Sequence, residues 1–517
     1  MEKLFRTCGR SRNIYSIKDN LRYPMKMHLI SVITALICAS FVRAEHPNIL
    51  WLFCDDMAVN GISAYNSRFS DMKITPNIDR IAKEGVRFER CYVSNSVCAP
   101  SRATLLTGKH SHKNGKYGNI EPYNHDQMQF QKLIGQGGYQ SAIIGKTHLP
   151  GLIQGFDYWE TLPGHGLYEN PVFITAEGRV RFEGHSSDVI ADRALNWYNT
   201  KRDPEKPFIL MVHFKAPHRD WTPAPRFVEA FKGASFPEPD TLFDNYATRE
   251  RAAAHAMGIG AHMKIGSDLK AEHWPHRSYL LDENLKGEAL VRAKYQAYMR
   301  DYFACVAGVD ENVGRLVQQL KDDGLYDNTI VMFSSDQGFY LGEHGWFDKR
   351  WMYEESFRTP FIAKWKGVIE PNTVNKDLAQ NIDFAPTFLD IAGVAAPGDM
   401  QGESLVPLFE GQTPDDWRTS LYYHYYMDGH GTTRHEGVSD GNFKFIRFYG
   451  RKTKGEDVFE LYDLNKDPAE MNNVYGNPEM AGKLAEMKAE LALLRDYYDV
   501  PDEEVVMMKR EKKEKSK

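Results

Sequence analysis

Cys98 opens the stretch CAPSRATLLTGKH, in which Pro100, Ser101, Arg102, Thr107 and Gly108 follow at fixed offsets. Pro100 suits the first turn of a helix, because its missing N–H has no intrahelical partner there and its φ is already helical. Ala103 to Leu106 continue that helix, and Gly108 ends it. The spacing places the thiol just ahead of a helix N-terminus, where free backbone N–H groups and the positive end of the macrodipole stabilise an anion. Arg102, one turn on, adds a fixed positive charge. Such a place suits a nucleophile that attacks an anionic ester.

A second set of groups follows apolar runs. NILWLFC leads into Asp55 and Asp56, and NTIVMFSS leads into Asp336 and Gln337. These side chains offer only hard oxygen donors, which suit Ca²⁺ or Mg²⁺ rather than zinc. Repulsion among three carboxylates raises at least one pKa unless a cation compensates. Either pair alone reads more readily as loop caps; two pairs at the ends of different strands point to a cation. YQSAIIG runs into Lys146 and His148 of GKTHL, PFILMVHF into His218 of APH, and Lys349 lies in GEHGWFDKR. Taken singly, each of these four is more often a surface or core filler than a functional group.

The full pattern C-x-P-S-R-x-x-x-x-T-G resembles the signature of the formylglycine-dependent sulfatases. GKTHL is similar to that family's GKWHL-type segment, with Thr147 in place of the frequent Trp, and His218 and Lys349 arrive in the family's order. The resemblance covers most of the chain from Asn48 to Tyr475. It implies that a dedicated maturation enzyme oxidises Cys98 to formylglycine (3-oxoalanine). It also implies one Ca²⁺ held jointly by Asp55, Asp56, residue 98, Asp336 and Gln337. Many members carry Asn or His where this chain has Gln337, which offers the same carbonyl on a longer arm. By the same resemblance Arg102 helps activate the nucleophile, and Lys146 and Lys349 spread the charge of the sulfuryl group. His218 protonates the leaving sugar oxygen, and His148 takes a proton from the second hydroxyl of the hydrated aldehyde. Arg102→Glu is then expected to abolish turnover while leaving much of the fold intact.

The elements that must position these groups alternate strand and helix, which argues for a mostly parallel sheet with helices on both faces and a ligand crevice at the strands' carboxyl ends. The resemblance sharpens this to an α/β, alkaline-phosphatase-like three-layer sandwich. Helices are expected near Ser186 to Thr200 and from about Glu288 to Asp322, Thr75 is expected to cap a helix opened by Pro76, and Phe236 to Asn284 reads as an irregular insertion over the crevice. After Trp417, SLYYHYY, KFIRFYG and DVFELYDL read as short strands, followed by the helix EMAGKLAEMKAELALLRDYY: a smaller antiparallel sheet packed by one helix. The domain reading is a leader and signal peptide over 1–44, a catalytic domain over 45–416, a C-terminal subdomain over 417–500 and a charged, solvated tail over 501–517.

The apolar run Leu29 to Val42, preceded by Lys26 and ending in small residues at Ala44, fits a signal peptide better than a membrane span, with translation starting at Met1, Met25 or Met27. This predicts an exported protein, periplasmic or secreted. Cys54, Cys91, Cys98 and Cys305 then remain; with Cys98 modified, at most one disulfide can form. With 42% hydrophobic and 12% aromatic residues among 517, the chain can bury a large core, and its net charge of −6 offers no broad attraction to nucleic acid.

Substrate groups are sought in Trp159, Trp221, Trp274, Trp346 and Trp351, each of which reads at least equally as core, and in a basic cluster of His424, His430, Arg434 and His435, which reads equally as a polar loop. The segment from Ser335 to Ser356 and the piece around YDLNKDPAEMNNVYG look like the polysaccharide-active bacterial branch of the family. The first expectation is therefore hydrolysis of sulfate esters on sulfated polysaccharides such as ulvan or another algal glycan. N-acetylglucosamine-6-sulfatase action on host glycans is the alternative. A phosphoryl-ester hydrolase of the same superfamily is disfavoured by the complete maturation pentapeptide and the lack of a His-rich second metal site. A non-catalytic glycan-binding scaffold is disfavoured because Cys98, Lys146 and His218 are all retained.

Overall fold

Five parallel strands form the centre of the sheet: β1 (Asn48–Cys54), β2 (Gln140–Lys146), β3 (Tyr158–Leu162), β4 (Phe208–His213) and β5 (Thr329–Ser335). They lie side by side in the order β5-β1-β4-β2-β3. Five shorter strands extend the edges to a ten-stranded sheet, most of them antiparallel to their neighbours. The computed structural model describes residues 46–269, 281–282, 284–429 and 431–502; the leader and signal-peptide segment, Trp274, His430 and nearly all of the charged tail lie outside them.

The near-continuous apolar runs of β1 and β5 follow from burial on both faces. Ile49, Trp51 and Phe53 enter one core, Leu50, Leu52 and Cys54 the other. The second of these cores packs under α1 (Pro76–Lys83), α3 (Ser186–Thr200) and the long α4 (Gly287–Asp322); α2 (Cys98–Thr107) covers the first. This is the expected three-layer sandwich. One local expectation fails: the Thr75 side chain does not cap α1 but donates to Asp79 at 3.0 Å. The free N–H groups of Asn77 and Ile78 go instead to the Asp310 carboxylate, at 3.0 and 2.9 Å. The insertion Phe236 to Asn284 holds a single short helix, Glu250–Ala253, among its described residues.

The C-terminal part forms a four-stranded antiparallel sheet in sequential order: β6 (Leu421–Tyr425), β7 (His435–Ser439), β8 (Phe443–Phe448) and β9 (Val458–Asp463). The sequence reading missed β7, whose HEGVS carries little β signal. Gly437 is required there, because a Cβ would meet Phe445 O at 2.4 Å and Met352 Sδ at 2.5 Å. One face of this sheet packs against α5 (Ala481–Tyr497), the other against Trp346, Trp351 and Tyr353. The Tyr423 hydroxyl on β6 donates to Arg350 O at 2.6 Å and accepts from Ser96 N at 3.3 Å, joining the Lys349 loop to the segment before Cys98. No helix among the described residues is long and apolar enough to cross a membrane. Cys54, Cys91, Cys98 and Cys305 are all free and buried.

Candidate active site

Four neighbouring strands end together. β1 delivers Asp55 and Asp56, β5 delivers Asp336 and Gln337, β2 ends on Lys146 with His148 two residues on, and β4 leads through Lys215 to His218. α2 brings Cys98 to the same place as its first residue. Oxygen, sulfur and nitrogen atoms of Asp55, Cys98 and His218 lie within 4.8 Å of one another, as do oxygens of Asp55, Asp56 and Asp336. Ala99 N donates to Asn119 Oδ1 at 3.1 Å, and Ser101 Oγ donates to Asp336 O, tying the start of the helix to the end of β5. Tyr302 of α4 supports the β1 turn from below, donating to Asp56 O at 3.0 Å.

Arg102 is buried, and its guanidinium donates to Asp336 Oδ2 at 3.0 Å, Lys146 O at 2.5 Å and Cys54 O at 3.3 Å, with Asp55 Oδ1 at 3.5 Å. Its hydrogen bonds go to the carboxylates and backbone around the thiol. Lys146 Nζ donates to Asp55, and Lys349 Nζ grips both Asp56 oxygens at 2.5 and 2.6 Å. Burial raises the Asp55 carboxyl, but the Lys146 and Arg102 charges outweigh it and hold it well below its ordinary value. Burial, together with the charge of Asp55, lifts Asp336 well above its own, and burial also raises Asp56 against the pull of Lys349. Burial pushes the Cys98 thiol up to about 12, so the unmodified side chain is a neutral thiol at ordinary pH.

His218 Nδ1 donates to Arg219 O, a partner that can only accept, so in the neutral ring Nε2 carries the lone pair; it lies 3.8 Å from Asp56 Oδ2. Burial and then the Lys146 charge keep His218 and His148 neutral, well below the usual histidine range.

Residues 47–394 match the family model described as Sulfatase, and residues 342–497 match N-sulphoglucosamine sulphohydrolase, C-terminal. The chain belongs to the sulfatase family. Sulfuric ester hydrolysis is accordingly its reaction. Among relatives of this sulfatase, an N-acetylglucosamine-6-O-sulfatase of Bacteroides thetaiotaomicron is 41% identical over 528 residues, 94% of this chain and 93% of the relative. An ulvan-active sulfatase of Formosa agariphila is 26% identical over 505 residues, 91% and 88% of the two chains. A solved structure described as a complex with its substrate D-glucosamine-2-N,6-O-disulfate has a TM-score of 0.83 and 42% identity, covering 88% of this chain and 99% of that one.

The sulfatase's donor set fits a hard divalent cation. Three carboxylates converge, and Asp55 Oδ1 and Gln337 Oε1 are buried without a hydrogen-bond partner. Gln337 Nε2 sits 2.5 Å from Asp56 Oδ1, 2.8 Å from Asp336 Oδ1 and 3.9 Å from Cys98 Sγ, and an amide turned over presents its oxygen to the same place. Lys146 and Lys349 are each engaged with a carboxylate of the site, which takes up part of their pull on an incoming sulfate ester. A cation held by Asp55, Asp56, Asp336 and Gln337 would add to the attraction.

Some expected substrate groups are elsewhere. His424 is buried, bonded to the Tyr422 hydroxyl at 2.7 Å and to that of Tyr449, and stacked on Tyr426 with centroids 3.7 Å apart. His435 is enclosed by Tyr423, Tyr425, Trp351 and Phe448, its Nδ1 donating to Thr433 O at 2.7 Å. Arg434 pairs with Asp428 at 2.9 Å. The two histidines are packed aromatic rings rather than a basic ligand cluster, and Trp221, Trp346 and Trp351 are core. Sequence reasoning also passed over Asp348 and Arg350 on either side of Lys349, both with positive φ (83° and 106°) and paired at 3.1 Å, with Arg219 on Asp348 at 3.2 Å. Such backbone in non-glycine residues is held by its surroundings, here at the site itself. His165 was missed as well.

Proposed function

We propose that this sulfatase removes the 6-O-sulfate of glucosamine or N-acetylglucosamine units in sulfated glycans, after export, using formylglycine made from Cys98 and one Ca²⁺. One observation carries the choice of sugar: likeness to an N-acetylglucosamine-6-O-sulfatase runs at 41% identity through 94% of this chain and 93% of the relative. The algal reading rests on weaker likeness, 26% to an ulvan-active enzyme. The test is released sulfate from N-acetylglucosamine 6-sulfate, glucosamine 2-N,6-O-disulfate and ulvan oligosaccharides. The two amino sugars should have the higher kcat/KM; a preference for ulvan reverses the assignment.

Hydrated formylglycine supplies one hydroxyl to attack sulfur and a second whose loss of a proton frees sulfate. Asp55, Asp56, Asp336 and Gln337 would hold the Ca²⁺, which would supply positive charge favouring the deprotonated nucleophile. The side chains do the rest. Lys146 and Lys349, buried and fixed on Asp55 and Asp56, turn their remaining N–H groups to the equatorial sulfate oxygens, where water exclusion strengthens them. An anionic substrate adds negative charge beside His218 and favours a proton on Nε2, the atom that hands it to the departing sugar oxygen. His148, whose Nδ1 is buried without a partner, is the acceptor for the second hydroxyl's proton. Asp348 and Arg350, paired with each other at 3.1 Å, brace the loop that carries Lys349.

Two outcomes follow. His218→Ala should slow sugar sulfates by about 10²- to 10⁴-fold and an activated aryl sulfate far less, because only the poor leaving group needs the acid; equal losses contradict the assignment. Removing divalent ions with a chelator should abolish turnover and lower the thermal unfolding midpoint. Ca²⁺ at a hundred times its Kd should restore about 2.7 kcal/mol of stability. An unfolding curve indifferent to Ca²⁺ would sink the cation site.

A further inference from the structure

We infer that His165 is a positioning residue of this site: it fixes the direction of the Lys146 ammonium, the group that the proposed function places on the sulfate. β3 runs parallel to β2 with Leu162 opposite Lys146, so residues just past the end of β3 emerge beside Lys146. The chain turns there through Pro163 to Gly166, with Gly166 N donating to Pro163 O at 3.0 Å and positive φ at Gly164 and Gly166. Gly166 has little alternative, since its φ of +68° is backbone that L side chains rarely adopt. Tyr168 fastens the far side of the turn. Its hydroxyl donates to His218 O at 2.6 Å, its carbonyl accepts from Ser186 N at 2.6 Å, and the Lys215 ammonium lies over its ring at 4.4 Å.

Held in this way, the His165 ring stands between the two other imidazoles of the site, its centroid 4.1 Å from that of His148 and 4.6 Å from that of His218. Lys146 Nζ is 3.3 Å from His165 Nδ1. An ammonium only donates, so Nδ1 is the unprotonated nitrogen and Nε2 carries the hydrogen. Among the described residues Lys146 gives one N–H to Asp55 and one to His165, which leaves the third for an anion. A lysine ammonium on its flexible stem is a rotating point charge; two fixed acceptors set the direction of its last hydrogen. Without His165 the group is free to turn about Asp55. The interaction lost is the one that strengthens as charge builds on the sulfuryl oxygens, so the loss falls on kcat.

The test compares His165→Ala, His165→Asn and Lys146→Ala with wild type in the full, matured chain on N-acetylglucosamine 6-sulfate. Thermal unfolding and the formylglycine content of the peptide around residue 98 are measured for each. Asparagine keeps an acceptor near the place of Nδ1 and lacks the Nε2–H. His165→Ala should lower kcat by roughly 10- to 100-fold, the scale of a misplaced catalytic group, with KM little changed, and His165→Asn should recover most of it. Equal impairment of both variants means that the ring meets substrate directly and overturns the inference, as does a loss confined to KM or a His165→Ala enzyme at the wild-type rate. A Lys146→Ala enzyme at full rate instead overturns the reading of Lys146 itself.

Discussion

Cys98→Ala should reduce sulfate release by about 10⁴- to 10⁶-fold, the scale on which other covalent enzymes lose rate without their nucleophile, while the protein still folds. The side chain is fully buried, yet among the described residues its sulfur has just one weak hydrogen-bond partner, the Gln337 amide at 3.9 Å, so removing it strands no strong donor. The small space left costs about 1 kcal/mol, as for a deleted methyl-sized group. Cys98→Ser is the sharper variant. Its single hydroxyl has no second hydroxyl to expel sulfate, so one equivalent of substrate should leave the peptide containing residue 98 heavier by a sulfo group, with no further release. An alanine variant retaining more than a hundredth of the wild-type rate would show that another group attacks sulfur.

Arg102 should matter as much to the fold as to the chemistry. Its guanidinium is 1% exposed and reaches Asp336, Asp55 and the carbonyls of Lys146 and Cys54. Arg102→Met leaves those carboxylates without their buried cation, a class of change that costs about 3–5 kcal/mol. Arg102→Glu, expected from sequence alone to spare the fold, adds a fourth acid to three already in repulsion and should yield little soluble protein. Unfolding of Arg102→Met within about 1 kcal/mol of wild type would show that the ion pairs contribute no net stability.

The central sheet and the cluster at its carboxyl edge were legible because burial on both faces writes long apolar runs, and the acids and bases that interrupt β1, β2, β4 and β5 stand out against them. The Cys98 helix was legible because Pro100 and Gly108 mark its two ends. His165 was not, since β3 is the mixed segment YWETL and nothing in PGHG tells which strand end lies next to it. His424 and His435 misled for a different reason: histidine type does not state exposure. The small sheet is covered on both faces, so rings that looked available for sugars are packing groups. Asp348 and Arg350 hide because positive φ leaves no mark on a side chain's identity.

The Tyr423 hydroxyl bridges Ser96 and Arg350, and 327 positions separate it from Ser96. A ribosome adding roughly 5–20 residues per second needs about 16 to 65 seconds to cover that gap. Throughout that time the segment that will bury the thiol lacks one of its fastenings. Under the proposed function, the enzyme that oxidises residue 98 would work against a clock set by the length of the chain downstream, and variants that slow synthesis between the two positions should emerge more completely converted.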